Sequence, residues 1–380
     1  MKNGIGKNLL MVVLIAAMTL STVACGSTTS QSAVTSDSVA QAETASDSVS
    51  TDETVEAETK GTGASSDKIV MVWYPNESAS DYEPAREEFA RLITEATGKE
   101  VEQKLTTDYS IAIEAVASGT AQICFMGAKG YIEAKNKNDA VQPLFVNSGA
   151  SGTLDDAIYY SWLAVNQGDE ADYADGDSYS IANIQGKRMS FVSDSSTSGF
   201  KIPTSSIISY FGTSDEWKDL DVDGLIEGDE NSFFSEVLFG GSHQGSAVNL
   251  LMDKADLAAF CNTELAPYAS IVSGEENETG AVYEVNADAS APFDTLAGKQ
   301  FVIINSVPVL NGPFAYNSDT LSADDVQKIQ DLFTSEEVSS NEKIFVTEES
   351  GNVGMFEKTD QEKIVLVEDS WYNPIRELSN

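Results

Sequence analysis

Residues 189–200 read Met-Ser-Phe-Val-Ser-Asp-Ser-Ser-Thr-Ser-Gly-Phe, a short apolar strand followed by small polar residues and the start of a helix. The first N–H groups of a helix have no partner within the helix, and the helix dipole is positive at that end, so an oxyanion is favoured there. The side chains of Ser195, Ser196, Thr197 and Ser198 add hydroxyl donors that carry no charge. The stretch therefore predicts an anion-binding turn, although a serine-rich N-cap taken alone is more often structural.

The elements on both sides of this turn alternate between strand and helix. Before it, the patterns predict strands at 68–73, 100–105 and 121–126 and helices at 83–97 and 108–118. Around and beyond it, they predict strands at 162–165, 188–192, 235–239 and 256–261. This alternation is typical of an α/β protein with doubly wound, mostly parallel sheets, in which ligands bind beyond the carboxyl ends of the strands. The folded part begins near Asp67 and is longer than one core usually supports, so we expect two lobes with the ligand cleft between them.

The N-terminal 66 residues are predicted to lie outside this folded part. Lys2 and Lys7 precede an apolar run that ends at Ala24-Cys25, which predicts a signal peptide over residues 1–24. The small residues before Cys25 favour lipidation of this cysteine and attachment to the extracellular face of the cell membrane, with ordinary secretory cleavage near Ala24 as the alternative. Residues 25–66 are rich in Ser, Thr, Ala and acids, and predict a disordered acidic tether.

The charge of the chain limits its partners. It has 22 Lys and Arg against 61 Asp and Glu, a formal net charge of −39, and loss of Lys2 and Lys7 with the signal peptide makes it more negative. Such a chain repels a polyanionic backbone, so we expect no nucleic acid partner. A small anion would have to be held by local dipoles and hydrogen bonds in a closed, desolvated cleft.

The cysteine and histidine content argues against a metal site or another cofactor. Cys124 and Cys261 lie in apolar, strand-like runs, so buried free thiols are preferred over a disulfide, and a single histidine without a close cysteine pair disfavours zinc. Residues 219–230 fit a calcium-binding loop, with acids at positions 1, 3, 5, 9 and 12 and Gly224 at position 6. Because a strand rather than a helix is expected after it, we prefer a solvated acidic loop and predict no metal.

Four stretches give the chain a likeness to a known family. They are Thr107-Asp-Tyr-Ser-Ile-Ala-Ile-Glu-Ala, Asp194-Ser-Ser-Thr-Ser-Gly-Phe-Lys-Ile-Pro203, Gly241-Ser-His-Gln-Gly-Ser-Ala-Val248 and Ser306-Val-Pro-Val-Leu-Asn-Gly-Pro-Phe314. With them the chain resembles the phosphate/phosphonate family of ABC-transporter solute-binding proteins, the PhnD type, which have a type II periplasmic-binding-protein fold. The stretches come in the family's order and cover most of residues 67–375.

The resemblance implies a set of ligand-binding residues. Ser196, Thr197 and Ser198 would hold the phosphoryl oxygens, and Tyr109, Tyr159 and His243 would supply further donors. Taken by itself, each has a structural alternative: Tyr109 could be a core residue, Tyr160 could face the cleft in place of Tyr159, and His243 could be a structural histidine.

The sequence departs from the family at an amine-recognising acid. The aminoethylphosphonate binders have an aspartate immediately before the proline of the last crossover, and here Asn311-Gly312-Pro313 places glycine there. Glu264 stands close to where a second such acid occurs, but the match is offset by a residue. The resemblance therefore implies phosphate, phosphite or a short alkylphosphonate at least as much as a phosphonate with a cationic tail.

The resemblance also implies how the chain works. Residues 67–160 and 312–380 would form lobe 1 and residues 161–311 lobe 2, closing about a hinge near Ser161 and Pro313. We expect a monomeric extracytoplasmic substrate-binding component of an ABC importer that binds a phosphorus oxyanion and docks on a permease driven by an ATPase. No catalytic motif is recognised, so we do not expect an enzyme. The alternatives are a secreted serine-dependent phosphoester hydrolase and a surface lipoprotein with a non-transport binding role.

Overall fold

A computed structural model describes residues 67–78, 80–347 and 354–378 of the chain. The predicted signal peptide, the lipidation site at Cys25 and the tether lie outside these described residues. Within them, no helix has the length and apolarity needed to cross a membrane. The described elements form two lobes, each built on its own mixed sheet.

The sheet of the first lobe contains six strands in the order β17-β4-β14-β3-β1-β2. These are β1 (Lys68–Trp73), β2 (Glu100–Leu105), β3 (Ile123–Phe125), β4 (Val141–Asn147), β14 (Phe314–Asn317) and β17 (Ile364–Val365). The helices of this lobe are α1 (Glu83–Thr97), α2 (Tyr109–Ser118), α3 (Ala128–Lys137), α8 (Ala323–Phe333), α9 (Glu336–Ser339) and α10 (Asn373–Arg376). The apolar faces of α1 and α8 pack on one side of the sheet, and those of α2 and α3 pack on the other. A small parallel pair, β15 (Phe345–Val346) and β16 (Phe356–Glu357), lies beside them.

The sheet of the second lobe contains seven strands in the order β11-β12-β13-β5-β10-β8-β9. These are β5 (Ile158–Asn166), β8 (Arg188–Phe191), β9 (Glu236–Phe239), β10 (Leu257–Cys261), β11 (Ala269–Ser273), β12 (Val282–Val285) and β13 (Gln300–Leu310). The helices of this lobe are α4 (Ile202–Phe211), α5 (Val222–Ile226), α6 (His243–Leu251) and α7 (Asn262–Leu265). Helices α4 and α6 cover opposite faces, and a small hairpin joins β6 (Ala174–Asp175) to β7 (Ser178–Tyr179).

The predicted two-lobed, doubly wound α/β fold is confirmed, but its sheets are mixed, which corrects the expectation of mostly parallel ones. In each sheet only three neighbouring strands pair in parallel, β2-β1-β3 in the first and β9-β8-β10 in the second. Strands β14 and β17 of the first sheet and β5, β11, β12 and β13 of the second make antiparallel pairs. Helical crossovers join the parallel strands, whereas β5 and β13 enter and leave the second lobe and pair directly with each other. The chain therefore passes between the lobes at residues 148–157 and again at residues 311–313.

Candidate ligand-binding site

The predicted anion-binding turn lies between β8 and α4, at the carboxyl end of a parallel strand. The side chain of Ser196 caps the following helical segment, with Oγ accepting from the N–H of Gly199 at 3.0 Å. This segment, Thr197–Lys201, is a π-helix that continues into α4, and Ser196, Thr197 and Ser198 are all at least 98% buried. A side chain at Gly199 would place its Cβ 2.1 Å from Cγ2 of Val192, so the glycine of the turn is required by the close approach of the strand.

Thr197 joins this turn to the first lobe. Its Oγ1 accepts a hydrogen bond of 2.9 Å from the backbone N–H of Lys129, in the first turn of α3. Two helix N-termini from different lobes therefore meet at a single hydroxyl group. The ammonium group of Lys129 pairs with Glu133 on α3 and lies 5.8 Å from the ring centroid of Phe200 in the π-helix.

Tyr159 approaches the same turn from β5. Its hydroxyl group interacts with the side chains of Ser198 and Thr197, and burial raises the pKa of Tyr159 above its ordinary value. Tyr160 follows it along the strand and therefore points to the opposite face, where it packs with the core around Trp162. Of the two neighbouring tyrosines, Tyr159 is thus the one beside the turn.

Tyr109 and His243 are linked by an asparagine that the sequence analysis did not single out. The Nδ2 group of Asn76 donates to the hydroxyl oxygen of Tyr109 at 2.7 Å, and Oδ1 of Asn76 accepts from the backbone N–H of His243 at 3.2 Å. Tyr109 and His243 are the first residues of α2 and α6, which belong to different lobes. The only sequence signal for Asn76 is its position just beyond the carboxyl end of β1.

His243 is an uncharged hydrogen-bond donor in this environment. Its Nδ1 atom accepts from the backbone N–H of Cys261 at 3.1 Å, which leaves the ring proton on Nε2. Burial lowers the pKa of His243 to about 3, so the imidazole is neutral at physiological pH. Cys261 and Cys124 are both buried free thiols, as predicted.

The six predicted residues form two groups, Tyr109 with His243 and Tyr159 with the turn at residues 196–198. Cys261 links the groups, because its N–H donates to His243 and its thiol interacts with Ser198, and four helical segments begin around them. Hydrogen bonds connect the start of α3 with the π-helix before α4, and the start of α2 with the start of α6. Helix N-termini supply N–H donors and positive dipole ends, and the tyrosine, serine, threonine and imidazole groups add neutral donors. Such a set can bind an oxyanion through hydrogen bonds without a permanent positive charge.

Two acids, Glu77 and Glu264, also lie in this cleft. Glu77 follows Asn76 and is 3% exposed, and Glu264 belongs to α7. The Oε2 atom of Glu264 accepts from Tyr82 at 3.4 Å and from Nε2 of Gln244 at 3.2 Å. Burial raises the pKa of Glu264 to about 7, and burial together with the nearby charge of Glu264 raises the pKa of Glu77 well above its ordinary value. No sequence motif indicates Glu77, and Glu264 matches the family pattern only with an offset of one residue.

Gly312 has no room for the acid that the amine-binding relatives carry at this position. A Cβ atom at Gly312 would lie 2.3 Å from the carbonyl oxygen of Met126 and 2.9 Å from Cα of Gly127. With this backbone, the last crossover cannot place a carboxylate in the cleft. The departure from the family motif therefore involves the packing of the main chain as well as the identity of one side chain.

Residues 219–230 are not arranged as a calcium-binding loop. The short helix α5 occupies the middle of this stretch, and Asp221 caps it by accepting from the N–H of Gly224 at 2.9 Å. Across the described residues, no group of three or more potential metal-binding side chains is found. Of the acids in this stretch, Asp221 therefore acts as the cap of helix α5.

The comparisons with known proteins agree with this architecture. A sequence model described as the periplasmic substrate-binding protein of phosphonate ABC transporters matches residues 71–372. The chain belongs to this family. Members of the family are transport binding proteins that act outside the cytoplasm, and the family predicted from the sequence is confirmed.

One relative of the chain is the phosphate-import protein PhnD of Mycolicibacterium smegmatis. The two are 24% identical over 216 residues, which cover 55% of this chain and 59% of that relative. The chain thus matches less than two thirds of the relative's length.

Two solved structures show the same fold. A binding protein component of an ABC phosphonate transporter from Pseudomonas aeruginosa is 19% identical, with a TM-score of 0.57, over 82% of this chain and 85% of that one. PhnD1 from Prochlorococcus marinus, in complex with methylphosphonate, is 12% identical with a TM-score of 0.55. The match covers 82% of this chain and 97% of that one. These likenesses confirm the two-lobed periplasmic-binding-protein fold.

Proposed function

We propose that the cleft captures a phosphorus oxyanion, such as phosphate, phosphite or a phosphonate, and hands it to an ABC importer. The observation that carries this proposal is the meeting of four helix N-termini at Tyr109, Lys129, Thr197 and His243. A tetrahedral oxyanion accepts many hydrogen bonds, and neutral donors can release it as well as bind it. Both relatives with named ligands, the phosphate importer and the methylphosphonate complex, are consistent with this class.

We propose that six residues bind the oxyanion and that two lobes of the chain move relative to each other when it binds. Ser196, Thr197 and Ser198 bind the phosphoryl oxygens, and Tyr109, Tyr159 and His243 complete the shell. Residues 67–160 with 312–380 move as lobe 1 and residues 161–311 as lobe 2, except that residues 158–160 move with the second lobe as part of β5, and the hinge lies near Ser161 and Pro313. The closed form docks as a monomer on a permease driven by an ATPase, and the lipid on Cys25 holds it at the extracellular face of the membrane.

A ligand panel tests the oxyanion class. Phosphate, phosphite, methylphosphonate, aminoethylphosphonate and sulfate are added separately, and the melting temperature of the protein is measured. A ligand at 100 times its Kd stabilises the folded state by about 2.7 kcal/mol, which raises the melting temperature by several degrees. We expect at least one phosphorus oxyanion to do so, and a panel without any shift would contradict the proposal.

The variant Thr197→Val tests whether Thr197 belongs to the ligand-binding site. The variant leaves the N–H of Lys129 without its acceptor, at a cost of about 1–3 kcal/mol in the closed state, so we expect affinity to fall about fivefold to a hundredfold in a calorimetric titration. Thr213→Val is the matched control, because Thr213 is an exposed threonine of the second lobe that bonds only locally to the carbonyl of Tyr210. Equal affinity in the two variants would remove Thr197 from the site.

A further inference from the structure

The carboxyl groups of Glu77 and Glu264 face each other across the cleft. Glu77 lies on the helical turn Asn76–Ser78 that follows β1 in the first lobe, whereas Glu264 lies on α7 in the second lobe. The two groups are within hydrogen-bonding reach of each other. In the described part of the chain, Oε2 of Glu77 is buried and receives no hydrogen bond from a donor. As carboxylates, Glu77 and Glu264 can only accept hydrogen bonds, so a proton between them is needed to form one.

In the described part of the chain, no lysine or arginine forms an ion pair with both carboxyl groups. Glu264 receives hydrogen bonds only from the neutral groups of Tyr82 and Gln244 within the described residues. Arg86, on α1, donates to the backbone carbonyl of Glu77, and its attraction for the Glu77 carboxylate is smaller than the opposing effects of burial and of Glu264. Glu83 and Glu87 also attract the charge of Arg86. Two unprotonated carboxylates here would repel each other in a poorly solvated space.

We propose that Glu77 and Glu264 form a proton-binding site that is completed when the lobes close, so that capture of the oxyanion takes up a proton. The shared proton supplies the hydrogen bond that the buried pair lacks and removes one of two facing negative charges. When the lobes separate, each carboxyl group is hydrated and loses the proton at its ordinary pKa. This inference rests on the proposed function, because closure around the oxyanion is what brings the two acids together.

The other titratable groups around the pair do not change charge near neutral pH. Burial lowers the pKa of His243 to about 3 and raises the pKa of Cys261 to about 12. Burial also raises the pKa of the remaining neutral neighbours, which are Tyr74, Tyr82, Tyr109, Tyr159, Cys124 and Tyr268. Arg86 remains a cation throughout, and it faces Glu77 from α1. The pair is therefore the group that titrates in the cleft.

The sign of the pH dependence follows from the raised pKa of the closed state. Below about pH 4.5, both carboxyl groups are protonated in the open and closed forms, and affinity does not depend on this site. As the pH rises from there toward the raised pKa of the pair in the closed form, the open form loses a proton that the closed form keeps, so affinity falls about tenfold per pH unit. Above that raised pKa the dependence levels off, because the closed form also loses the proton.

Proton uptake on binding is measured by calorimetric titration at pH 6 in buffers of different ionisation enthalpy. Methylphosphonate, phosphite and phosphate serve as the probes, and each is titrated into the wild-type protein, Glu264→Gln and Glu77→Gln. For the same probe, we expect the wild type to take up about one more proton than either variant, because a neutral amide replaces the shared proton. Subtracting the proton uptake of a variant from that of the wild type removes the contribution from ionisation of the probe itself. Melting curves of the unliganded proteins verify that both variants fold.

Glu216→Gln is the matched control, since Glu216 is an exposed acid of the second lobe. It should take up as many protons as the wild type. Binding with equal uptake in the wild type, Glu264→Gln and Glu77→Gln would overturn this inference and leave the proposed function intact. If no phosphorus oxyanion of the ligand panel binds the wild-type protein, the proposed function fails and this inference fails with it.

Discussion

Gly312 illustrates how a single residue limits what the cleft can recognise. Its neighbours are hydrogen bonded to the other crossover and to the first lobe: Asn311 donates through its backbone N–H to the carbonyl of Ala157, and the carbonyl of Pro313 accepts from the backbone N–H of Met126. These bonds draw the main chain against Met126 and Gly127 so closely that no Cβ fits at Gly312. The acids that remain in the cleft, Glu77 and Glu264, reach it from other elements.

Gly312→Ala should destabilise the protein, because its methyl group would collide with the carbonyl oxygen of Met126. Overpacking of this kind costs about 1–3 kcal/mol in the free energy of unfolding. The control is Gly224→Ala in α5, where the nearest atom to a Cβ lies at 3.4 Å and the alanine should be neutral or slightly stabilising. Denaturant titrations of both variants measure the difference, and an unchanged stability of Gly312→Ala would show that the crossover can move aside.

At the scale of elements, the sequence predicts the local units well and the pairing between distant strands poorly. The predicted bounds of β1, α1 and β2 match the structure, since each has its own periodicity and its own terminating signal, such as Gly98 after α1. The antiparallel pairing of β5 with β13 joins residues about 140 positions apart, and nothing in either strand specifies the other.

The residues of the candidate site can likewise be predicted from the sequence only in part. The residues in recognisable turns, such as Thr197 and His243, are found from the sequence, and the structure brings them together. Asn76 and Glu77 lie in an ordinary Pro-Asn-Glu-Ser turn, so only their position after a parallel strand could have indicated them. Whether these residues bind the ligand remains a prediction that Thr197→Val and the ligand panel address.

Glu88 shows how one element is fastened to another. It lies on α1, is 5% exposed, and accepts from Arg91 at 2.8 Å, from Nδ2 of Asn341 at 2.7 Å and from Lys343 at 3.3 Å. The hydrogen bonds from Arg91, with smaller contributions from Asn341 and Lys343, lower the pKa of Glu88 to about 2 in spite of its burial. The carboxylate thereby holds α1 to the segment that follows α9.

Glu88→Gln should therefore lower the free energy of unfolding by an amount that depends on pH. A lowered pKa stabilises the folded state above the unfolded value near 4.5 and loses this effect as the pH falls toward 2. We expect the variant to lose about 2–3 kcal/mol of unfolding free energy at pH 7 and about half of that at pH 3. Denaturant titrations at the two pH values measure it, with the exposed Glu95→Gln on the same helix as control. Equal losses at pH 7 and pH 3 would refute the assignment to the carboxylate.

At the scale of the whole molecule, a small number of hydrogen bonds hold the lobes together across the cleft. Lys129 to Thr197, His243 to Asn76 and Tyr82 to Glu264 are the contacts closest to the candidate site, and only two short segments carry the chain between the lobes. Water can replace each of these bonds when the cleft opens, so each adds only about 1 kcal/mol to the closed state. A bound oxyanion would accept hydrogen bonds from both lobes at once and shift this balance toward closure.

Small-angle scattering of the mature protein, with and without the tightest ligand of the panel, measures this closure directly. We expect a smaller radius of gyration with ligand, because the oxyanion joins the donors of Tyr109 in the first lobe to those of Thr197 and His243 in the second. Thr197→Val should need about fivefold to a hundredfold more ligand for the same compaction, since closure leaves the N–H of Lys129 unpaired. A ligand that raises the melting temperature without changing the radius of gyration would exclude hinge closure and indicate that the lobes are already fixed around the site.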